Sequence, residues 1–171
     1  MTPGQLDRSK FHPYYEMYLG LVEETSILDA LDAGRMAVTE FFEKLPSEKL
    51  AYRYAADKWT PKEVLQHLVD TERVFGYRAM FASRSPDAEL SGFDHDAFVV
   101  KGNANDLSIA ELVREYVSVR TSSIYLFKIL PPNTFANTAV ANGNLFSVSA
   151  LGYVMAGHEK HHINIIKERY L

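Results

Sequence analysis

The hydrophobic and polar positions of this chain recur with a helical period in four long segments. These segments run from about residue 26 to 44, 60 to 83, 108 to 130 and 147 to 171, with apolar side chains three or four positions apart. A serine or threonine stands at the start of each, where its hydroxyl can cap a helix. Four helices of roughly 20 residues predict an all-α fold, a four-helix bundle.

The links between these segments predict additional structure. Asn142 and Gly143 lie inside the link at 139–146, and Asn-Gly is the strongest two-residue signal for a β-hairpin. We therefore expect a short β-hairpin between the third and fourth helices. The link from Asp87 to Asp106 is long and contains aromatic residues, which predicts a loop packed over the bundle. The stretch at 11–21 is expected to form a short helix or a packed arm.

Composition and charge limit the class of protein. A length of 171 residues without a shift in composition predicts one domain, residues 1–171. The net charge of −4 offers no basic surface for nucleic acid. The chain has no cysteine, so a thiol nucleophile would have to come from a small molecule. No signal-like segment and no long apolar run is present, so we expect a cytoplasmic protein without a membrane partner.

Histidines carry the candidate chemistry. His158 and His162 lie one turn apart in the middle of the apolar stripe of the fourth helix, so both should face the bundle core. His67 lies on the inward stripe of the second helix. His161 falls at the edge of its stripe and is expected to line a pocket. His95, which stands between two aspartates, is expected to be solvated.

Buried imidazoles are costly unless they have partners. They can be neutral and hydrogen-bonded to neighbours, or they can bind a metal ion. Three histidines from two helices favour the second interpretation, a divalent metal site with an open coordination position. Imidazole ligands suit zinc, nickel, iron or copper. Such an ion can lower the pKa of a bound water to about 7 or deprotonate a bound thiol, so the site fits hydrolysis or thiol transfer.

The acidic residues near these histidines are candidates for holding the imidazole rings in place. Glu63 and Asp70 lie within a turn of His67 and are candidates to orient its free ring nitrogen. Glu159 lies near the edge of the core face, where we expect a solvated carboxylate, with an orienting role as the alternative. The His-Glu-x-x-His pattern at 158–162 matches that of zinc peptidases, in which the glutamate is the general base. Those enzymes need a third ligand downstream, and no histidine follows His162.

Three segments resemble the DinB superfamily, the group of DinB/YfiT-like metalloenzymes. They are KWTPKEVLQHLVDTER at 58–73, GFD at 92–94 and GHEKHH at 157–162. The resemblance implies a four-helix bundle of DinB/YfiT type that holds one divalent metal ion on His67, His158 and His162. It also implies a homodimer, because family members are often dimers.

The resemblance further implies an activity on a small molecule, with thiol-dependent S-transfer and hydrolysis as the expected reactions. Characterised relatives include S-transferases that use small thiols, so a low-molecular-weight thiol is an expected partner. Zinc or nickel is the expected metal, with iron or another divalent ion as alternatives. The remaining alternative is a bundle that binds a metal or ligand without turnover.

Overall fold

The computed structural model describes all residues, 1–171, and contains six α-helices and one small sheet. The helices, numbered in chain order, are α1 (Glu16–Leu19), α2 (Ile27–Lys44), α3 (Pro61–Arg84), α4 (His95–Lys101), α5 (Ile109–Ile129) and α6 (Val148–Arg169). The strands are β1 (Ala88–Leu90), β2 (Thr138–Ala141) and β3 (Asn144–Ser147). The predicted all-α bundle is confirmed, because α2, α3, α5 and α6 are the four long helices expected from the sequence.

The starts of the long helices follow from local side-chain capping. Thr60 accepts a hydrogen bond from the backbone N–H of Glu63, and the Glu63 carboxylate accepts one from the N–H of Thr60, at 3.2 and 2.7 Å. Ser108 forms the same reciprocal box at the start of α5. Ser26 and Ser147 cap α2 and α6 with their hydroxyl oxygens. Each cap satisfies backbone donors that have no partner inside the helix, which fixes where that helix begins.

The bundle has two apolar cores with a polar layer between them. One cluster of buried apolar side chains includes Leu31, Phe75 and Leu151. The other includes Val38, Leu65 and Ile163. The four long helices all cross from one cluster to the other, α3 packs against α5 and α6, and α2 packs against the same two helices. The histidines at 67, 158 and 162 lie near this crossing.

The segment at 87–106 is more ordered than the predicted loop. It contains β1 and α4, and β1 pairs in parallel with β2 from residue 88 opposite 139 to residue 90 opposite 141. The predicted hairpin is confirmed, since β2 and β3 are antiparallel and the turn residues Asn142 and Gly143 have φ angles of 51° and 75°. A three-residue strand and a seven-residue helix are too short to show a period, so the sequence pattern missed both. None of the helices combines the length and the apolar character that a membrane span requires.

Candidate metal centre

Three imidazoles from two helices meet inside the bundle. His67 on α3 is 6% exposed and His158 on α6 is 7% exposed. The Nε2 atom of His158 lies 3.2 Å from Nε2 of His67 and 3.0 Å from Nε2 of His162. One ligand atom from each of the three histidines falls within 4.8 Å of the other two. The structure therefore brings together the three residues that the sequence predicted as metal ligands.

Hydrogen bonding alone explains this geometry poorly. A ring nitrogen carries either one hydrogen or one lone pair in the plane of the ring. Nε2 of His158 can therefore make one well-directed hydrogen bond, although it faces two neighbouring nitrogens. A metal ion would accept the lone pairs of all three. With metal–nitrogen distances of about 2.05 Å, a tetrahedral site places its ligand nitrogens about 3.3 Å apart. Two of the three nitrogen separations, 3.0 and 3.2 Å, are close to this value, and the three ligand atoms all lie within 4.8 Å of one another, which is compatible with one shared divalent ion.

Burial keeps these imidazoles in the neutral form that binds metal. Desolvation, assisted by the charge of neighbouring His95, lowers the pKa of His67 to about 4. Desolvation, followed by the charges of neighbouring histidines, lowers the pKa of His158 and His162 well below the ordinary value. Neutral imidazoles offer their lone pairs without first losing a proton, so protons compete weakly for this site.

Thr71 is the side chain placed to orient His67. Its hydroxyl oxygen lies 3.4 Å from Nδ1 of His67, a long hydrogen bond across one turn of α3. Metal-binding histidines usually engage their other ring nitrogen in such a contact. Sequence reasoning did not assign this role to Thr71. Its position four residues after His67, on the same helical face, is the signal that could have identified it.

The three acidic candidates form hydrogen bonds elsewhere. Glu63 accepts from Arg53 and from Asn105 in addition to its capping bond. Asp70 accepts a hydrogen bond of 3.2 Å from the side-chain amide of Gln66. None of the hydrogen bonds that involve Glu63, Asp70 or Glu159 reaches a histidine.

Glu159 is not the solvated carboxylate that the sequence led us to expect. It is 1% exposed, and its Oε2 accepts hydrogen bonds from Tyr116 at 2.8 Å and from Arg120 at 2.7 Å. A carboxylate can be buried when a guanidinium neutralises it. The helical wheel placed Glu159 at the edge of the core, but its partners lie on α5 and are invisible to a single-helix pattern.

A cavity of about 220 Å³ adjoins the three histidines. Its aromatic walls come from Tyr14, Tyr15, Tyr18, Trp59, Phe75 and Phe93. The indole ring of Trp59 lies 4.8 Å from the ring of His67, and the Tyr18 ring meets His158 edge-on at 5.3 Å. Trp59 and these tyrosines therefore belong to the site, a role that the sequence pattern did not predict.

Two further histidines line the same cavity. His161 does so as expected, with its ring 5.6 Å from that of Tyr18. His95 begins α4, and its side chain is 55% exposed, which agrees with the expected solvation. Its ring nevertheless lies 5.8 Å from the ring of His67, so α4 places a fifth imidazole at the cavity.

The fold and the site together define a helical bundle with a three-histidine cluster that could hold a divalent ion, in which His67 and His158 are buried and His162 is half-buried. A model of the DinB superfamily matches residues 30–166, a range that includes all three histidines, and the chain belongs to this superfamily. The solved structure of YfiT from Bacillus subtilis has a similar fold, with a TM-score of 0.75 and 15% sequence identity. The match covers 83% of this chain and 82% of YfiT, which is described as a probable metal-dependent hydrolase with an unusual four-helix bundle topology. The curated proteins compared with the chain include no match.

Proposed function

We propose that this protein is a metal-dependent enzyme that acts on a small molecule. His67, His158 and His162 hold one divalent ion, zinc or nickel in the first instance, and the substrate occupies the adjoining cavity. The reaction is hydrolysis or the transfer of a small thiol. One observation carries the proposal: ring nitrogens of three histidines, all within 4.8 Å of one another, converge on the wall of a cavity.

A divalent ion at this position supplies Lewis acidity, which lowers the pKa of a water or thiol and polarises a substrate carbonyl. The aromatic walls of the cavity bury the apolar part of a substrate and exclude bulk water. His95 and His161 stand beside the three ligands and offer ring nitrogens that can accept or donate a proton. A thiol transferred here has to be supplied by a second small molecule, because the chain has no cysteine.

The two reactions have different support. The description of YfiT as a probable metal-dependent hydrolase supports hydrolysis. The affinity of an electron-rich thiolate for a metal held by neutral imidazoles supports thiol transfer. A cavity of about 220 Å³ limits either substrate to a small molecule, or to the reactive end of a larger one.

Activity of the metal-loaded protein tests this proposal. The zinc-loaded and nickel-loaded proteins would be assayed with small activated esters, and with an aromatic halide in the presence of cysteine or glutathione. His67→Ala is the inactive control. His161→Ala keeps all three proposed metal ligands, so a lower rate in this variant would report proton transfer by His161 and not loss of the metal. We expect a metal-dependent rate in the wild type that His67→Ala abolishes. A wild type that retains metal but performs no better than His67→Ala would instead identify a non-catalytic metal-binding bundle.

A further inference from the structure

A network of charged side chains crosses the centre of the bundle. Arg120 donates two hydrogen bonds to the carboxylate of Glu72, from Nε at 2.8 Å and from Nη2 at 2.7 Å. The same Nη2 donates to Glu159 at 2.7 Å, and Nη1 donates to the backbone carbonyl of Leu31 at 3.1 Å. The hydroxyl of Tyr116 donates to the same oxygen of Glu159. We call Glu72, Tyr116, Arg120 and Glu159 the buried charge network.

This network joins all four long helices at one level. Its members lie on α3, α5 and α6, and its contact with a carbonyl reaches α2. Arg120 and Glu159 are each 1% exposed, and Glu72 is 5% exposed. Along their helices, Glu72, Arg120 and Glu159 fall between the residues of the two apolar clusters, whereas Tyr116 belongs to the second cluster. His158 and His162 fall between the two clusters on α6 as well. One guanidinium therefore links the two helices that carry the three imidazoles.

The network is close in sequence to the histidine cluster. Glu72 directly follows Thr71, whose hydroxyl contacts His67. Glu159 directly follows His158. A shift of the backbone at Glu72 or Glu159 along its helix axis would move the neighbouring histidine by a similar amount, because residues within one turn share the hydrogen-bonded backbone of the α-helix.

Stability alone explains this network poorly. Two carboxylates share one guanidinium, and Oε1 of Glu159 has no hydrogen-bond partner although it is buried. Buried ion pairs can often be replaced by apolar side chains of similar volume with no loss of stability. The ion pairs do fix geometry. A bidentate contact holds two helices in one relative position, whereas apolar contacts are non-directional.

Gly34 on α2 shows how little freedom the network has. A Cβ atom at this glycine would lie 1.8 Å from Oε1 of Glu159 and 2.9 Å from Nη1 of Arg120. The carboxylate therefore packs directly against the backbone of α2, and any side chain at position 34 would displace it. The network is confined from the α2 side as well as by its own hydrogen bonds.

We infer that the buried charge network is a positioning device that sets α3 against α6 so that the three imidazoles meet. The inference rests on the proposed metal site. The members of the network are positioning residues, since none of their hydrogen bonds reaches a histidine. The network holds the Nε2 atoms of His67 and His158 at 3.2 Å, a separation that a small slide of either helix would destroy.

The test removes the network without leaving a buried charge behind. The combined variant E72L/Y116F/R120M/E159L replaces every member by an apolar residue of similar size. Without metal, this variant should unfold cooperatively at the same temperature as the metal-free wild type or higher, because apolar packing replaces the ion pairs. Its Zn²⁺ affinity should fall by at least about tenfold, as when contacts behind metal ligands are lost, and the visible spectrum of bound Co²⁺ should change.

The matched control is the Arg73–Glu115 pair. This salt bridge of 2.8 Å also joins α3 to α5, but its side chains are 50% and 32% exposed and it does not reach α6. The variant R73Q/E115Q should keep the wild-type Zn²⁺ affinity and Co²⁺ spectrum. A well-folded network variant that binds Zn²⁺ as tightly as the wild type, with the same Co²⁺ spectrum, would overturn the inference.

Two further measurements keep the test decisive. If the network variant does not fold, Gly34→Ala displaces the carboxylate while it keeps every charge, and we expect the same loss of Zn²⁺ affinity. Unchanged affinity in Gly34→Ala refutes the inference. The NMR signals of the imidazole nitrogens can be recorded on the metal-free protein, so this measurement does not depend on metal binding. They should move in the network variant and stay in place in R73Q/E115Q. A wild type that binds no metal would refute the proposed function, while these signals would still decide the positioning role.

Discussion

The affinity of the histidine site for zinc should change little on moderate acidification. An imidazole with an ordinary pKa of about 6.5 loses about eightfold in metal affinity between about pH 7 and about pH 5.5, so three independent ligands would lose roughly 600-fold. Burial lowers the pKa of His67 to about 4 and the pKa of His158 and His162 well below the ordinary value. Almost no proton then has to be displaced, and we expect a change of less than about twofold.

Isothermal titration calorimetry measures this directly. Zinc binding in two buffers with different ionisation enthalpies, at about pH 6, gives the number of protons released. The structure predicts a value near zero, whereas three imidazoles with ordinary pKa values would release about two protons. A release of about two protons, or a Zn²⁺ affinity that falls several-hundredfold between about pH 7 and about pH 5.5, would refute the reasoning that burial keeps the ligands neutral.

Three predictions concern the stability of the metal-free protein, measured by urea unfolding. Gly34→Ala should lower the free energy of unfolding by about 1–3 kcal/mol, because its Cβ meets the buried charge network. In Gly76→Ala the new Cβ has no atom within 4 Å, so the free energy of unfolding should rise by about 0.5–1 kcal/mol. Equal effects of the two variants would contradict this reasoning. Gly157→Ala places a Cβ 2.1 Å from the Tyr18 carbonyl oxygen, so it should push α1 away from α6 and destabilise by about 1–3 kcal/mol; unchanged stability would show that α1 can move freely. The free energy of unfolding should fall as the pH drops from about 6.5 to about 4. His67 alone should account for roughly 3 kcal/mol, since its folded pKa of about 4 lies below the unfolded value. A free energy of unfolding that does not change with pH would exclude the buried neutral state.

The parts of the fold that depend on neighbouring residues could be predicted from the sequence. Thr60 and Ser108 mark helix starts because capping involves residues only three positions apart. The turn at Asn142 and Gly143 follows from the backbone angles that these two residues tolerate. The spacing of four between His158 and His162 guarantees that both face one side of α6.

The parts that depend on distant residues could not be predicted. Glu159 seemed to be a surface residue until the structure placed Arg120 opposite it on α5. The pairing of β1 with β2 joins segments about fifty residues apart, and no local pattern records it. Trp59 and His95 come to the cavity through the packing of loops and of α4, which a helical wheel does not describe. The predicted metal ligation itself stays a prediction, although the structure brings its three histidines together.

Elemental analysis of the untagged protein tests the central claim most directly. Wild type, His67→Ala, His162→Ala and His161→Ala would be incubated with zinc or nickel and freed of unbound metal. Our account predicts about one divalent ion per chain in the wild type and in His161→Ala, and almost none in the other two variants. A wild type without metal, or metal retained by both ligand variants, would contradict the three-histidine site and leave hydrogen-bonded core histidines as the explanation.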